Sequence, residues 1–239
     1  MRIQSTTFFI TTVFVIISLT TSVIFEYSCL KNTIWQQLSL AIFSASSMSC
    51  ILSYVYYCIE KQKTLAKMLE LWAFVYQKTL NINVLISDRT QRQSSQEIIV
   101  GREIYITSTL MREDIQNSLE KLRTIEYWQN IPDKRHRAFT SMSSNVSLIN
   151  SFICNLVKVE IFANQWQIYE LENNLNASAS ILPIYEELLN ELKEESTKIL
   201  SNLDLGLDAL IKARKNKAVS WKTLKQEFER SAKEFNHIQ

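Results

Sequence analysis

Glycine and proline are almost absent from this chain, whose 239 residues contain 2 Gly and 2 Pro. Ordinary proteins have about 7% Gly and about 5% Pro. Tight hairpin turns need residues that adopt positive φ, so the shortage of glycine excludes a fold rich in β-hairpins. Gly101 and Gly206 lie far apart, so the chain also lacks the glycine-rich loops that bind phosphates and dinucleotides. The composition therefore predicts an all-α protein built from long helices.

Residues for metal and nucleophilic chemistry are also scarce. His136 and His237 have no His or Cys neighbour at metal-binding spacing, and there is no C-x-x-C motif. Serines and threonines are numerous, but none lies in a nucleophile elbow. The carboxylate pairs 186–187 and 194–195 alternate with lysines, which is typical of a solvated helix face. We therefore expect no catalytic residue, no metal, no cofactor and no enzymatic activity.

Charge is distributed unevenly along the chain. The first 59 residues contain only Arg2, Glu26 and Lys31 as charged residues, whereas the other 180 contain 24 basic and 23 acidic ones. This balance leaves no overall basic surface for nucleic acid, so we expect no nucleic-acid partner. At roughly 100–200 residues per domain, the charged part forms one domain. The pattern predicts a hydrophobic domain over residues 1–59 and a soluble helical domain over 60–239.

Two uncharged runs dominate the hydrophobic domain. Residues 3–25 and 32–59 contain no Asp, Glu, Lys or Arg, and a helix needs about 20 apolar residues to cross a hydrocarbon core of about 30 Å. The six residues from Glu26 to Lys31 are too few for a domain. The sequence therefore predicts a hairpin of two transmembrane helices, at about 3–25 and 34–58.

The basic residues near these runs predict the orientation of the hairpin. Lys61, Lys63 and Lys67 follow the second run, whereas the connector has Lys31 alone. Positively charged flanks stay in the cytoplasm, so we expect both termini and residues 60–239 to be cytoplasmic, in a multi-pass protein of a bacterial cell membrane. Aromatic residues that prefer the membrane interface flank the second run: Trp35, Tyr54, Tyr56 and Tyr57.

A cleaved signal peptide is the alternative interpretation of the N-terminus. Residues 1–22 have a basic start, an apolar core and small residues at their end. Cleavage would give a secreted or single-pass surface binding module, in which the sequons at Asn145 and Asn176 become possible glycan acceptors. The apolar run, however, continues through Phe25, which favours a retained helix.

Small residues recur at helical spacing in both runs. Ala41, Ala45, Ser49 and Ser53 form a stripe at steps of four in the second run, and the first run has a similar stripe at Thr7, Thr11, Ser18 and Ser22. Membrane helices approach closely along such faces. The stripes either pack the two helices of one hairpin together or build a homo-oligomer, and we predict a homo-oligomer held by the second helix.

The soluble part shows helical periodicity throughout, which predicts an antiparallel helical bundle or coiled coil. Its expected helices cover 60–80, 103–129, 138–175, 183–212 and 220–238. Apolar residues on one face of the first are Leu65, Met68, Leu69, Trp72, Val75, Tyr76 and Leu80. In the third, the apolar stripe changes register between Leu156 and Val159, as in a stammer. Pro183 is expected in the first turn of the fourth helix, and Ser220 is expected to cap the last one.

One short segment concentrates positive charge. Lys134, Arg135 and Arg137 follow Pro132 and precede the long third helix. They form either a solvated loop or a contact with anionic lipid head groups or a phosphate-bearing ligand.

The second run and the residues that follow it carry a resemblance to known proteins. The run reads Ile34-Trp-Gln-Gln-Leu-Ser-Leu-Ala-Ile-Phe-Ser-Ala-Ser and leaves the membrane as Tyr56-Tyr-Cys-Ile-Glu-Lys-Gln-Lys-Thr-Leu. This segment resembles that of bacterial two-helix membrane proteins, and the layout resembles the SLATT-type two-transmembrane proteins proposed as membrane effectors in bacterial conflict systems. The resemblance implies a membrane helix that continues into the cytoplasm.

The expected function is thus that of a non-enzymatic two-pass membrane protein whose cytoplasmic helical domain binds a partner or controls assembly. A membrane effector is one version, and membrane lipid and a second copy of the chain or another membrane protein are the expected partners. A passive scaffold or subunit of a membrane complex is the alternative.

Overall fold

The computed structural model of the protein describes residues 2–27, 34–91, 109, 111–122, 136–172, 175–214 and 220–238. Within these ranges all regular secondary structure is helical, which confirms the predicted all-α fold. The helices are α1 (Arg2–Glu26), α2 (Ile34–Gln91), α3 (111–122), α4 (His136–Leu171), α5 (Leu175–Ala213) and α6 (Trp221–Ile238).

The chain folds as two compact units, which we call the N-terminal unit (Met1–Leu65) and the C-terminal unit (Ala66–Gln239). The predicted domains divide after residue 59. Helix α2 contributes to both units, because it continues without interruption from Ile34 to Gln91. No glycine or proline occurs in this stretch, so nothing in the sequence favours a break in the helix.

In the N-terminal unit, α1 and the first part of α2 lie side by side and antiparallel. In the contacts between them, residue numbers rise along α1 as they fall along α2. The pairs are Phe8–Tyr54 with ring centroids 5.7 Å apart, Thr12 Oγ1–Cys50 Sγ at 3.4 Å and Ser22 Oγ–Ser39 Oγ at 2.7 Å.

In the C-terminal unit, α2 contacts three other helices. Its predicted apolar face is buried as expected, from Leu65 at the end of the N-terminal unit to Leu80. Polar and aromatic contacts join α2 to its neighbours: Lys78 Nζ–Asp114 Oδ2 at 2.6 Å on α3, Asn83 Nδ2–Ser196 Oγ at 2.7 Å on α5, and Tyr76–Trp221 rings at 5.1 Å on α6. This part of α2 is therefore a core helix of a bundle.

Helix α4 packs antiparallel to α5, and its buried positions correct the sequence interpretation. The predicted stammer after Leu156 is wrong, because one set of buried positions keeps steps of three and four across this point: Asn145, Ile149, Phe152, Leu156, Val159 and Ala163. Two of these are polar or small, so a purely apolar stripe misses them. Asn145 Oδ1 accepts a hydrogen bond of 2.8 Å from Asn202 Nδ2 on α5.

The predictions for the first turn of α5 and for the N-cap of α6 have different outcomes. Helix α5 begins at Leu175, so Pro183 lies inside the helix rather than in its first turn, which corrects that prediction. Pro183 is exposed, and water can replace the one intrahelical hydrogen bond that a proline removes. The predicted N-cap of α6 is confirmed, because Ser220 Oγ accepts a hydrogen bond of 3.2 Å from the Thr223 amide.

Candidate functional site

Three helical segments are long and apolar enough to cross a membrane, judged by length and composition alone. They are Thr7–Glu26, Ile34–Ser87 and Asn145–Gln165. Their burial differs sharply: the most apolar windows of the first two are 11% and 6% buried inside the protein, whereas that of the third is 39% buried. Length and composition do not separate the three segments, but burial does.

The first segment and the part of the second segment before residue 60 expose large apolar side chains on most of their surface. On α1 these residues are Phe9, Ile10, Val13, Phe14, Ile16, Ile17, Leu19, Val23 and Ile24. On the matching part of α2 they include Ile34, Trp35, Leu38, Leu40, Ile42, Met48, Ile51, Leu52 and Ile59. Monomeric soluble proteins rarely expose apolar patches larger than a few hundred Å², and larger ones mark contact with membranes or other proteins.

The third segment, in contrast, uses its apolar face for the core of the C-terminal unit. Ile149, Phe152 and Leu156 are fully buried there. The segment also contains Glu160, which is buried and accepts a hydrogen bond of 3.1 Å from Arg112 Nε on α3. A buried ion pair of this kind is typical of a folded protein interior, where each charge needs its partner.

Polar side chains concentrate where α1 faces α2. Ser18, Ser22 and Ser39 are buried between the two helices. A series of buried and partly buried positions at steps of three and four runs along both helices: Phe8, Thr11, Val15, Ser18, Ser22 and Phe25 on α1, and Gln36, Ser39, Phe43, Ser46, Cys50, Ser53 and Tyr57 on α2. This spacing is typical of two long helices packed at a shallow angle.

We call the contact between these positions of α1 and α2 the seam. Several of its hydroxyl groups have hydrogen-bond acceptors inside the helix pair. Thr12 Oγ1 donates to the Phe8 carbonyl at 2.7 Å, and Ser18 Oγ donates to the Phe14 carbonyl at 2.8 Å. Ser39 Oγ contacts both Ser22 Oγ at 2.7 Å and the Ser18 carbonyl at 3.3 Å across the seam. These hydroxyls therefore need no water, which is the condition for burying them in a membrane.

The predicted packing stripe of α2 faces away from α1. Ala41, Ala45 and Ser49 are exposed, and only Ser53 is half-buried in the seam. On α1, Ser18 and Ser22 of the predicted stripe do pack against α2. Helix α1 thus covers a different face of α2 and leaves most of the predicted stripe open.

The seam residues Ser39 and Cys50 were missed by sequence reasoning. For Ser39 a sequence signal exists, because Ser39, Ser46 and Ser53 repeat at seven-residue steps. The predicted stripe follows steps of four between alanines and serines and misses this face.

Most of the predicted basic segment lies outside the described residues. Lys134 and Arg135 lie outside the described residues, and Arg137 lies in the first turn of α4. The lipid or phosphate contact assigned to these residues stays a prediction.

Hydrogen bonds between helices fix the alignment of the C-terminal unit. Asn83 on α2 donates to Ser196 on α5, and Glu195 on α5 accepts from Ser151 at 2.8 Å and from Asn155 at 3.0 Å on α4. Polar pairs in an apolar bundle favour one register, because any shift leaves buried donors and acceptors without partners.

Helix α6 is attached to α2 and α5 around one carboxylate. Asp204 on α5 accepts a hydrogen bond from Trp221 Nε1 and lies 3.1 Å from Lys225 Nζ. The Trp221 ring packs edge-on against Tyr76 of α2. Burial raises the pKa of Tyr76 well above its usual range, and the charges of Asp204 and Glu229 raise it further. The phenol therefore stays neutral and acts as a packing residue.

The described residues contain no group of three or more His, Cys, Asp or Glu that could hold a metal. The glutamates of α5 at 186, 187, 191 and 194 border an open hollow on the exposed side of that helix. Comparison of the chain with family models, with curated proteins and with solved structures finds no match. Function must therefore be argued from the arrangement of the residues themselves.

Proposed function

We propose that this protein is a non-enzymatic two-pass integral membrane protein, with a cytoplasmic helical domain that binds a partner or controls assembly. In this proposal α1 and residues 34–59 of α2 cross the bilayer. The observation that carries it is the contrast in exposure: the apolar side chains of the N-terminal unit face outward, and its buried seam is rich in hydroxyls. Lipid is the solvent that suits such a surface.

The length of the proposed span supports this reading. Trp35 and Tyr56 are both exposed aromatic residues on α2. At 1.5 Å per residue, the 21 steps between them cover about 31 Å, close to the hydrocarbon thickness of about 30 Å. Their amphipathic rings would then lie at the two interfaces, where Trp and Tyr are enriched.

The third apolar segment belongs in this proposal to the cytoplasmic domain. Its core face is already buried, and its Glu160 is paired with Arg112. Crossing a membrane would separate these contacts and place a carboxylate in lipid, at a cost of about 2.5–3.5 kcal/mol for an acidic residue at a span centre.

The orientation of the hairpin rests on its flanking lysines. Lys61, Lys63 and Lys67 follow the second span, and Lys31 alone lies in the connector. The proposal therefore places both termini in the cytoplasm and the connector outside, in a bacterial cell membrane.

Native cysteines provide the experiment that tests this topology. Cys29 lies in the connector and Cys154 is exposed on α4. Two variants, each keeping one of these cysteines and carrying serine at the other three, are expressed in a bacterial host and treated with a membrane-impermeant maleimide. We expect Cys29 to react in intact cells and Cys154 to react only after lysis. Labelling of Cys154 in intact cells would reverse the topology or indicate secretion.

The intact mass of the purified protein separates retention of α1 from cleavage. A retained N-terminus gives the full-length mass, whereas a cleaved signal peptide removes about the first 22 residues. Loss of that mass would replace the two-pass proposal by the secreted or single-pass one.

The proposed assembly role rests on the open face of α2. Ala41, Ala45 and Ser49 are not covered by α1, so a helix of a second copy can approach there closely. Seam hydroxyls such as those of Ser18 and Ser39 already have partners within the pair, which favours a role in assembly over an aqueous path inside one hairpin. Toxicity upon induced expression would instead favour the membrane-effector version that the SLATT resemblance implies.

A further inference from the structure

Lys61 lies just beyond the proposed span and carries its charge back toward the membrane. Its Nζ atom lies over the ring of Tyr57, 5.9 Å from the ring centroid. Side chains on a helix lean toward its N-terminus, and on α2 this direction leads to the span. The ring helps to hold the ammonium group, because a cation is attracted to an aromatic face.

The same arrangement occurs a second time on α2, where it is complete. Lys78 Nζ lies 5.0 Å from the ring centroid of Phe74, also four residues earlier. There, Asp114 on α3 supplies the counter-charge, with its Oδ2 atom 2.6 Å from Lys78 Nζ. For Lys61, no carboxylate among the described residues forms an ion pair. An anion that pairs with Lys61 would therefore come from outside that part of the chain.

Distance along α2 identifies the surroundings of each lysine. The polar zone on each side of the hydrocarbon core is about 5–8 Å thick. Counted from Tyr56, Lys61 lies about 7–8 Å further along the helix, and Lys63 lies about 10 Å further. Lys67, at about 16 Å, lies beyond the head groups. The depth of Lys61 therefore matches the outer part of this polar zone, and exposed Lys63 lies just beyond it.

We propose that Lys61, held over Tyr57 and assisted by Lys63, binds the phosphate group of an anionic phospholipid in the cytoplasmic leaflet. This proposal rests on the proposed membrane insertion. It differs from general positive-inside attraction because it assigns the strongest contact to one lysine and a decreasing effect with distance from Tyr56. A basic residue near an anionic surface changes affinity by about fivefold, which corresponds to about 1 kcal/mol.

The test is a titration of the detergent-solubilised full-length protein with phosphatidylglycerol, with bound lipid counted by native mass spectrometry. Phosphatidylcholine is the reference lipid. For Lys61→Gln we expect affinity for phosphatidylglycerol to fall about fivefold, with a smaller loss for Lys63→Gln and little change for Lys67→Gln. Tyr57→Leu should also weaken binding, because the ring no longer positions the ammonium group. High salt should reduce the difference between Lys61→Gln and the unchanged protein.

Lys198→Gln is the matched control, because Lys198 is an exposed helix lysine with only a long contact of 4.0 Å to Glu194. Equal affinity of the unchanged protein and Lys61→Gln would overturn the proposal. So would an equal loss in Lys198→Gln, or binding of phosphatidylcholine as tight as that of phosphatidylglycerol.

Alkaline extraction of the same membranes separates this proposal from the proposed function. A protein that stays in the membrane but shows no lysine-dependent lipid preference defeats the lipid site alone. A protein released by alkali defeats membrane insertion, and with it the lipid site.

Discussion

The two units of this protein use the same apolar residue types in opposite ways. In the C-terminal unit Phe152 and Leu156 are fully buried, whereas in the N-terminal unit Phe14 and Ile16 are 56% and 58% exposed. Polar residues show the reverse trend, since Ser18 and Ser22 are buried between α1 and α2. The hydrophobic effect drives apolar side chains away from water. A surface such as that of the N-terminal unit is stable only where water is replaced by lipid or by another protein.

Helix α2 contains this contrast within one element. Ile51 and Leu52 are exposed, whereas Trp72 and Val75 are fully buried. Helical periodicity alone does not distinguish the two parts, because both are regular helix. What differs is the width of the apolar surface: it surrounds most of the helix before residue 59, and it is confined to the packed faces after residue 65. A helix that is apolar all round needs an apolar environment.

Replacing a phenylalanine by alanine is expected to give the largest difference in stability between the two units. Phe152→Ala should lower the free energy of unfolding by about 3–5 kcal/mol, because it leaves a cavity in a closed core. Phe14→Ala, its counterpart on the exposed side of α1, should cost much less in detergent. Thermal unfolding of the full-length protein in detergent, followed by helix signal, measures both. Similar losses for the two variants would show that α1 is packed as tightly as α4.

Replacing an isoleucine of α1 by aspartate gives the next largest effect, because the carboxylate would then face lipid. Ile16 on α1 is 58% exposed and Ile161 on α4 is 50% exposed. If α1 crosses the bilayer, Ile16→Asp should cost about 2.5–3.5 kcal/mol of insertion free energy. Ile161→Asp should change stability by no more than about 0.5 kcal/mol, as at an ordinary water-exposed site.

The measurement is the fraction of each variant that resists alkaline extraction from membranes. We expect Ile16→Asp to lose membrane association and Ile161→Asp to keep it. This pair also tests the third apolar segment, Asn145–Gln165. Equal loss in both variants would mean that α4 enters the membrane too, and the cytoplasmic placement of that helix would be wrong.

Sequence periodicity predicted the buried apolar positions well where apolar residues on one helix face are separated by polar ones. Met68, Trp72, Val75 and Tyr76 are buried as the pattern predicts. On α4 it predicted the buried Leu156 and Val159 but missed Asn145 and Asn155, which are also buried. Their partners, Asn202 and Glu195, lie on α5. A single sequence does not show which distant polar residue satisfies a buried one, so such positions read as solvent-facing.

The predicted packing stripe of α2 stays a prediction. Its steps of four select a face that α1 leaves open, because Ala41, Ala45 and Ser49 are exposed. Ser39 and Cys50 form the contacting face instead. The choice between these faces depends on the shape of α1, whose buried Ser18 and Ser22 accommodate the hydroxyls of α2. That complementarity exists only in the folded pair.

The smallest expected effect concerns association through the open face of α2. Ala45 is exposed on this face, and Leu40, 50% exposed, is a large residue on a different face of the same helix, about 140° away. Ala45→Leu adds volume where a second α2 would approach closely, so it should weaken homo-oligomer formation. Hydrogen bonds between membrane helices average only about 0.6 kcal/mol, so close packing around Ala45 must supply most of the association energy. Because α1 does not cover Ala45, the fold and membrane insertion of the single chain should be unchanged.

Cross-linking in membranes is performed on the unchanged protein, on Ala45→Leu and on Leu40→Ala. We expect cross-linked dimers or larger species in the unchanged protein and in Leu40→Ala, and fewer in Ala45→Leu. If Ala45→Leu instead reduces thermal stability and insertion, a neighbour within the same chain occupies this face. An unchanged protein that runs only as a monomer would remove the homo-oligomer, and the outward apolar surface of the N-terminal unit would then contact lipid or a different membrane protein alone.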